Sequence, residues 1–147
     1  MADIKVSALT TPPVPLTGTE VFPLVQAGVS YKGTVRNVSK FGYQDVLTYS
    51  STAKILALSD RGQWIRFTSA TNCTLTIPLD ATVNFSVGET LNGIQASDGK
   101  VLIVASVGVT LNIPTEYKAN TRAKGAPFCL IKVATDAWDL VGDLEAA

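Results

Sequence analysis

From Lys54 onward this chain changes polarity every second residue, in runs too short for helices. That alternation limits it to folds built from half-buried strands. Residues 72–77 are the cleanest case: Cys73, Leu75 and Ile77 fall on one side, Thr74 and Thr76 on the other. This is the period of a pleated strand with one face on a core. Trp64 to Thr68, Leu91 to Ala96, Val101 to Ser106, the series Val107, Val109, Leu111 and Ile113, Phe128 to Val133, and Trp138 to Val141 repeat the pattern. Ile55 to Ser59 and Val83 to Val87 read as further short strands. Asp60-Arg61-Gly62, Pro78, Gly88, Ser97-Asp98-Gly99-Lys100 and Thr135-Asp136 punctuate the runs with turn chemistry. The expected fold is all-β, an antiparallel β-sandwich or barrel-like domain, with hairpins at 97–100 and 135–136. No internal repeat is visible, which argues against a solenoid or propeller.

The first third of the chain is organised differently. Thr11, Pro12, Pro13 and Pro15 favour an extended, polyproline-like arm over residues 1–15. Residues 16–36 then read as two extended runs parted by a Gly turn. Pro23 stands in the middle of the first run, between Val21, Phe22, Leu24 and Val25. Proline offers no N–H to a ladder, so this strand belongs at an edge. A bare apolar edge is an aggregation site, and another chain is the simplest cover. Leu16, Glu20, Phe22, Pro23, Leu24, Val25, Gln26 and Tyr31 are therefore candidates for an assembly interface. Residues 37–52 read as a linker in which Asn37 could cap a short helix through Val38, Phe41 and Val46, weakened by Gly42. The expected division is an arm and assembly element over 1–52 and a β domain over 53–147.

Composition supports assembly over chemistry. Charged residues make up 16% of the chain, against about 25% in an ordinary soluble domain. Twelve basic and twelve acidic residues cancel. A neutral chain is poorly suited to neutralising phosphates or to an anionic membrane surface, so neither nucleic acid nor membrane is an expected partner. It also gains little colloidal protection as a free monomer. Met1-Ala-Asp-Ile-Lys5 has no secretory pattern, and synthesis in a cytoplasm is expected. Cys73 and Cys129 are expected to be free thiols in apolar strands.

Two stretches resemble a known group of proteins. Leu16, Gly18, Glu20, Pro23, Val25, Gln26, Gly28 and Thr34, in that order, resemble the N-terminal element of tailed-bacteriophage fibre, tailspike and appendage proteins. Asp60-x-Gly62, Arg66-Phe67-Thr68-Ser69-Ala70, the Thr-rich strand ending in Pro78, Gly99-x-Val101 and Val133 to Asp143 resemble a small β module at the ends of such proteins. The resemblance implies a virion structural protein, often a homotrimer, made in the host cytoplasm and held by other virion proteins. A capsid decoration or cement protein is the first expectation. A short tail fibre or baseplate adaptor is the alternative, although no long shaft follows Trp138. A carbohydrate-binding adhesin comes third.

The chain carries little that could run a reaction. With no histidine, it lacks the commonest general base, and Ser-His-Asp and Cys-His systems are ruled out. No phosphate loop or dinucleotide fingerprint occurs. Pairs drawn from Asp136, Asp139 and Asp143, or Asp60 and Asp80, have the residue type for glycoside hydrolysis, but Asp beside Gly in a turn is better explained by backbone chemistry. No enzyme, metal or cofactor is expected. Trp64 and Trp138 are expected in the core. Tyr31 and Tyr117 are the better candidates for exposed sugar-stacking rings, with a glycan as an open possibility. Tyr117, with Lys118, Arg122 and Lys124 in a polar loop over 114–125, is a candidate surface contact for an acidic partner.

Overall fold

The computed structural model describes the backbone of residues 21–26 and 29–34 and the whole of residues 44–147. The chain divides into two compact units, 1–43 and 44–147. In the first, strands β1 (Val21–Gln26) and β2 (Val29–Thr34) pair antiparallel, one residue to one, from Val21 opposite Thr34 to Gln26 opposite Val29. Pro23 lies opposite Lys32. A proline fits such a ladder only where no N–H is called for, and both strands of this pair are edges.

The second unit holds β3 (Asp45–Tyr49), β4 (Ala53–Ile55), β5 (Gln63–Phe67), β6 (Cys73–Ile77), β7 (Thr90–Gln95), β8 (Val101–Ala105), β9 (Thr110–Asn112), β10 (Tyr117–Thr121), β11 (Pro127–Ala134), β12 (Ala137–Gly142) and β13 (Leu144–Ala146). A single 3-10 turn, Leu58–Asp60, is the only helical element among the described residues. Two sheets form, β13-β10-β8-β6-β4 and β3-β5-β7-β11-β12-β9. Their inner faces share one core. Ile65, Phe67, Leu91, Phe128, Leu130, Trp138 and Leu140 come from the six-stranded sheet; Cys73, Leu75, Ile77, Val101, Ile103 and Leu144 come from the five-stranded one. The all-β sandwich expected from the alternation is what forms.

The connections follow a different plan. From β3 to β10 each successive strand crosses to the opposite sheet. β3, β5 and β7 therefore stack in parallel, as do β4, β6 and β8. β9 and β12 are parallel as well, while β7–β11, β11–β12, β8–β10 and β10–β13 are antiparallel. The sheets are thus mixed, and residues 45–105 wind like a short β-solenoid, contrary to the expectation drawn from the missing repeat. The reason lies at the corners. Ser97–Lys100 does turn the chain, but β7 and β8 do not pair; they lie in different sheets. This corner stacks on the one before it. Gly99 N–H donates to Ser69 O at 3.2 Å, Lys100 N–H to Asn72 Oδ1 at 3.0 Å, and Cys73 N–H to Lys100 O at 2.8 Å. A Cβ on Gly99 would lie 2.0 Å from Thr71 O, so the stack needs glycine there.

Other local expectations are also corrected. Residues 83–87 form no strand; they belong to a folded excursion that delivers Phe85 edge-on to Trp138, centroids 5.3 Å apart. Val46, proposed as part of a helix, is in β3, so the second unit begins at residue 44 and not 53; residues 37–43 lie outside the described residues. The polar segment 114–125 contains β10, and β13 beside it was not anticipated.

Candidate functional site

Register places the outward residues of the six-stranded sheet in rows. Val46, Trp64, Asn92, Cys129 and Val141 form one row across β3, β5, β7, β11 and β12. Thr48, Arg66, Ile94 and Pro127 form the next row on one side, and Thr90, Ile131, Asp139 and Asn112 on the other. Val46 is 64% exposed and Val141 48%. Between them lies a shallow, open groove of about 200 Å³ lined by Trp64, Asn92, Pro127, Phe128, Cys129, Val141 and Gly142. Gly142 shapes it: at φ +150° it adopts a conformation that disfavours side chains, and a Cβ there would lie 2.5 Å from Pro127 O. Trp64 is a correction to the expectation of a core residue. Ile65 and Phe67 point inward, so the strand period turns Trp64 out, half-buried in this groove. Trp138 does fill the core, with no exposed surface. Cys129 lines the groove and Cys73 is buried; both thiols are free, and burial pushes both up from their ordinary pKa.

Each acidic candidate for catalysis is held by a neighbour. Lys54 Nζ and Ala57 N–H both donate to Asp60 at 2.9 Å. Asp80 pairs with Lys132, a lysine only 1% exposed whose ammonium lies 5.2 Å from the Trp138 ring centre. Asp136 N–H donates to Asp80 Oδ2 at 3.1 Å, and Asp80 N–H returns a bond to Asp136 Oδ1 at 2.7 Å. Burial pushes the Asp80 carboxyl up, but the Lys132 ammonium and the Asp136 N–H outweigh it, and the carboxyl is held below its ordinary value. Asn112 donates to Asp139 at 2.7 Å. Arg122 grips Asp143 with two bonds of 2.7 and 2.8 Å, which holds that carboxyl low. Among the described residues no group of three or more His, Cys, Asp or Glu side chains could hold a metal ion.

The sequence-derived contact residues are spread out. Leu16 and Glu20 lie outside the described residues. Phe22, Pro23, Leu24, Val25 and Gln26 form β1 and Tyr31 lies in β2, opposite Leu24. Tyr117 and Lys118 open β10, and Tyr117 is 40% exposed. The three cations of this segment all have acidic neighbours: Lys118 is 4.0 Å from Glu145, Arg122 is bonded to Asp143, and Lys124 is 3.8 Å from Asp98. The segment is therefore a charge-balanced strip, less suited to an acidic partner than its sequence suggests. The outward row through Trp64 was missed as a unit, because its members come from five strands and only register joins them. A comparison with protein-family models finds no match, and neither does one with curated proteins.

Proposed function

We propose that this chain is a non-enzymatic bacteriophage virion structural protein, a homotrimeric decoration or cement protein held on the particle surface by its neighbours. The observation that carries an assembling role is the outward face of the six-stranded sheet, whose central row runs Val46, Trp64, Asn92, Cys129 and Val141 with Asn92 its one polar member. Surfaces of this kind mark contact sites in folded proteins. The phage assignment rests on the resemblance of residues 16–34 and 60–143. The partners would be further copies of the chain and a major capsid or tail protein. Repetition on a symmetric shell turns weak contacts into firm attachment.

Labelling this chain on intact particles tests the reading. A copy number in the hundreds, spread over the shell, is the expected result. A few copies at one vertex would favour the alternative, a short tail fibre or baseplate adaptor. Absence from particles would refute both. Phe22→Asp tests the trimer: a charge in an assembly strand should yield monomers or aggregates in light scattering, and an unchanged oligomer would remove β1 from the interface. One observation favours a further reading as a carbohydrate-binding adhesin, the Trp64 ring beside the Asn92 amide in an open groove. A glycan array with no hit abolished by Trp64→Ala would dismiss it.

A further inference from the structure

We infer that the outward face of the six-stranded sheet docks face to face on the same face of a second copy, related by a twofold axis lying in the interface. This contact uses residues of the second unit alone; it shares its face with the assembling role proposed above and does not need the phage assignment. Its basis is the distribution of charge. Within the three rows only Arg66 and Asp139 are charged, and they sit diagonally opposite each other across the centre of the patch. Arg66 is exposed, and no side chain among the described residues pairs with it. Asp139 bonds only the neutral Asn112.

Pleat geometry sets the layout. With ~4.8 Å between strands and ~6.8 Å between same-face neighbours along a strand, Arg66 lies about 7 Å to one side of the patch centre and about 7 Å along the strand direction. Asp139 lies at about the opposite point. The centre falls between Asn92 and Cys129, which are register partners. A second copy turned over about an in-plane axis perpendicular to the Arg66–Asp139 diagonal places its Asp139 over Arg66, and its Arg66 over Asp139. The same operation sets Trp64 near the second copy's Ile131, and Val141 near the second copy's Ile94 and Pro127. Strands then cross at about 90°, one of the two ordinary angles of sheet packing. The contact is isologous, so both ion pairs form together. The thirteen positions of the three rows, at ~4.8 by ~6.8 Å each, cover roughly 420 Å² per copy, or on the order of 850 Å² counted over both copies. That is the size of a weak, transient contact, so the pairing is concentration-dependent. It would also cover Trp64 and remove it as a sugar platform.

Cys129 supplies the readout, because it lies within a few ångströms of the axis, by the same spacing. A short bis-maleimide linker should join two full-length chains through Cys129, and Cys129→Ser should abolish the product; Cys73, 1% exposed, is out of reach. Arg66→Asp or Asp139→Arg puts like charges opposite each other and should cut the yield roughly tenfold or more. Arg66→Asp combined with Asp139→Arg should restore it, which separates loss of pairing from loss of fold. Phe22→Asp, which tests the first unit, should leave this cross-link in place. An absent cross-link, or one indifferent to the charge exchanges, would overturn the inference.

Discussion

The buried Lys132 makes the sharpest prediction, because its two partners fail in opposite ways. Its side chain is 1% exposed and the Asp80 side chain 16%. Asp80→Ala leaves an ammonium inside the fold with no counter-charge, a change that costs about 3 kcal/mol or more. The loss of the Asp136 N–H bond adds about 1 kcal/mol. Lys132→Met is different. Methionine keeps the stem against Trp138, and Asp80, nearer to solvent, still accepts the Asp136 N–H. Its cost should be within about 1 kcal/mol. The double variant should therefore be about 2 kcal/mol more stable than Asp80→Ala alone, a rescue by a second core substitution. Urea unfolding followed by tryptophan fluorescence measures all three, and Asp80→Ala should lower Tm by roughly 12 °C or more. If Asp80→Ala lies within about 1 kcal/mol of the parent, or if the double variant is no better than the single, the ion pair does not hold the excursion over residues 78–89.

Thr121→Val removes a hydroxyl that donates to Gln95 Oε1 at 2.5 Å and accepts from Val101 N–H at 2.9 Å; with both groups buried, urea unfolding should show a loss of about 2–4 kcal/mol. Gly99→Ala forces a Cβ against Thr71 O and should cost about 3 kcal/mol or fail to fold, whereas Gly62→Ala meets nothing within 4 Å and pays only for its positive φ. Acrylamide should quench Trp64 and spare Trp138, so Trp64→Phe should remove the quenchable emission. The carboxyls of Asp80, Asp143 and Glu145 are all held below their ordinary values. Their contribution is fully present above the unfolded carboxylate range and is lost as pH falls through the folded values, so the urea midpoint should stay flat down to about pH 5 and drop progressively below it. Asp143→Asn should lessen that drop.

The faces of most strands could be read from the sequence, and their partners could not. Cys73, Leu75 and Ile77 are buried and Thr74 and Thr76 half-buried, as alternation requires, because inward and outward positions depend only on a local period. Parallel and antiparallel neighbours leave the same imprint on that period. The choice is made at corners such as Ser97–Lys100, where dipeptide chemistry specifies a bend but not which sheet receives the next strand. The hairpin at Thr135-Asp136 was legible because β11 and β12 do pair directly, with Asp136 at φ +48° in the turn. Trp64 was misplaced by weighing its bulk above the parity of its own strand.

The hidden winding has a physical explanation in the unequal length of the coils. Asp45 lies beside Gln63, an offset of 18 residues, while Trp64 lies beside Asn92, an offset of 28. In the other sheet Ala53 lies beside Thr74, offset 21, and Cys73 beside Val101, offset 28. A solenoid whose turns differ this much carries no fixed period to detect. The longer turn takes in the excursion between β6 and β7. That excursion supplies Phe85 to the ring of Trp138 and Asp80 to the ammonium of Lys132. Its backbone is tied to β11 by Gly88 N–H donating to Lys132 O at 2.8 Å and Lys132 N–H donating to Glu89 O at 2.9 Å. The extra residues therefore fill the space beneath β11 and β12, where the parallel stack gives way to antiparallel strands. Shortening the excursion to equalise the coils would empty that space around Trp138. The irregularity that conceals the repeat is thus the element that lets a parallel coil close against an antiparallel hairpin.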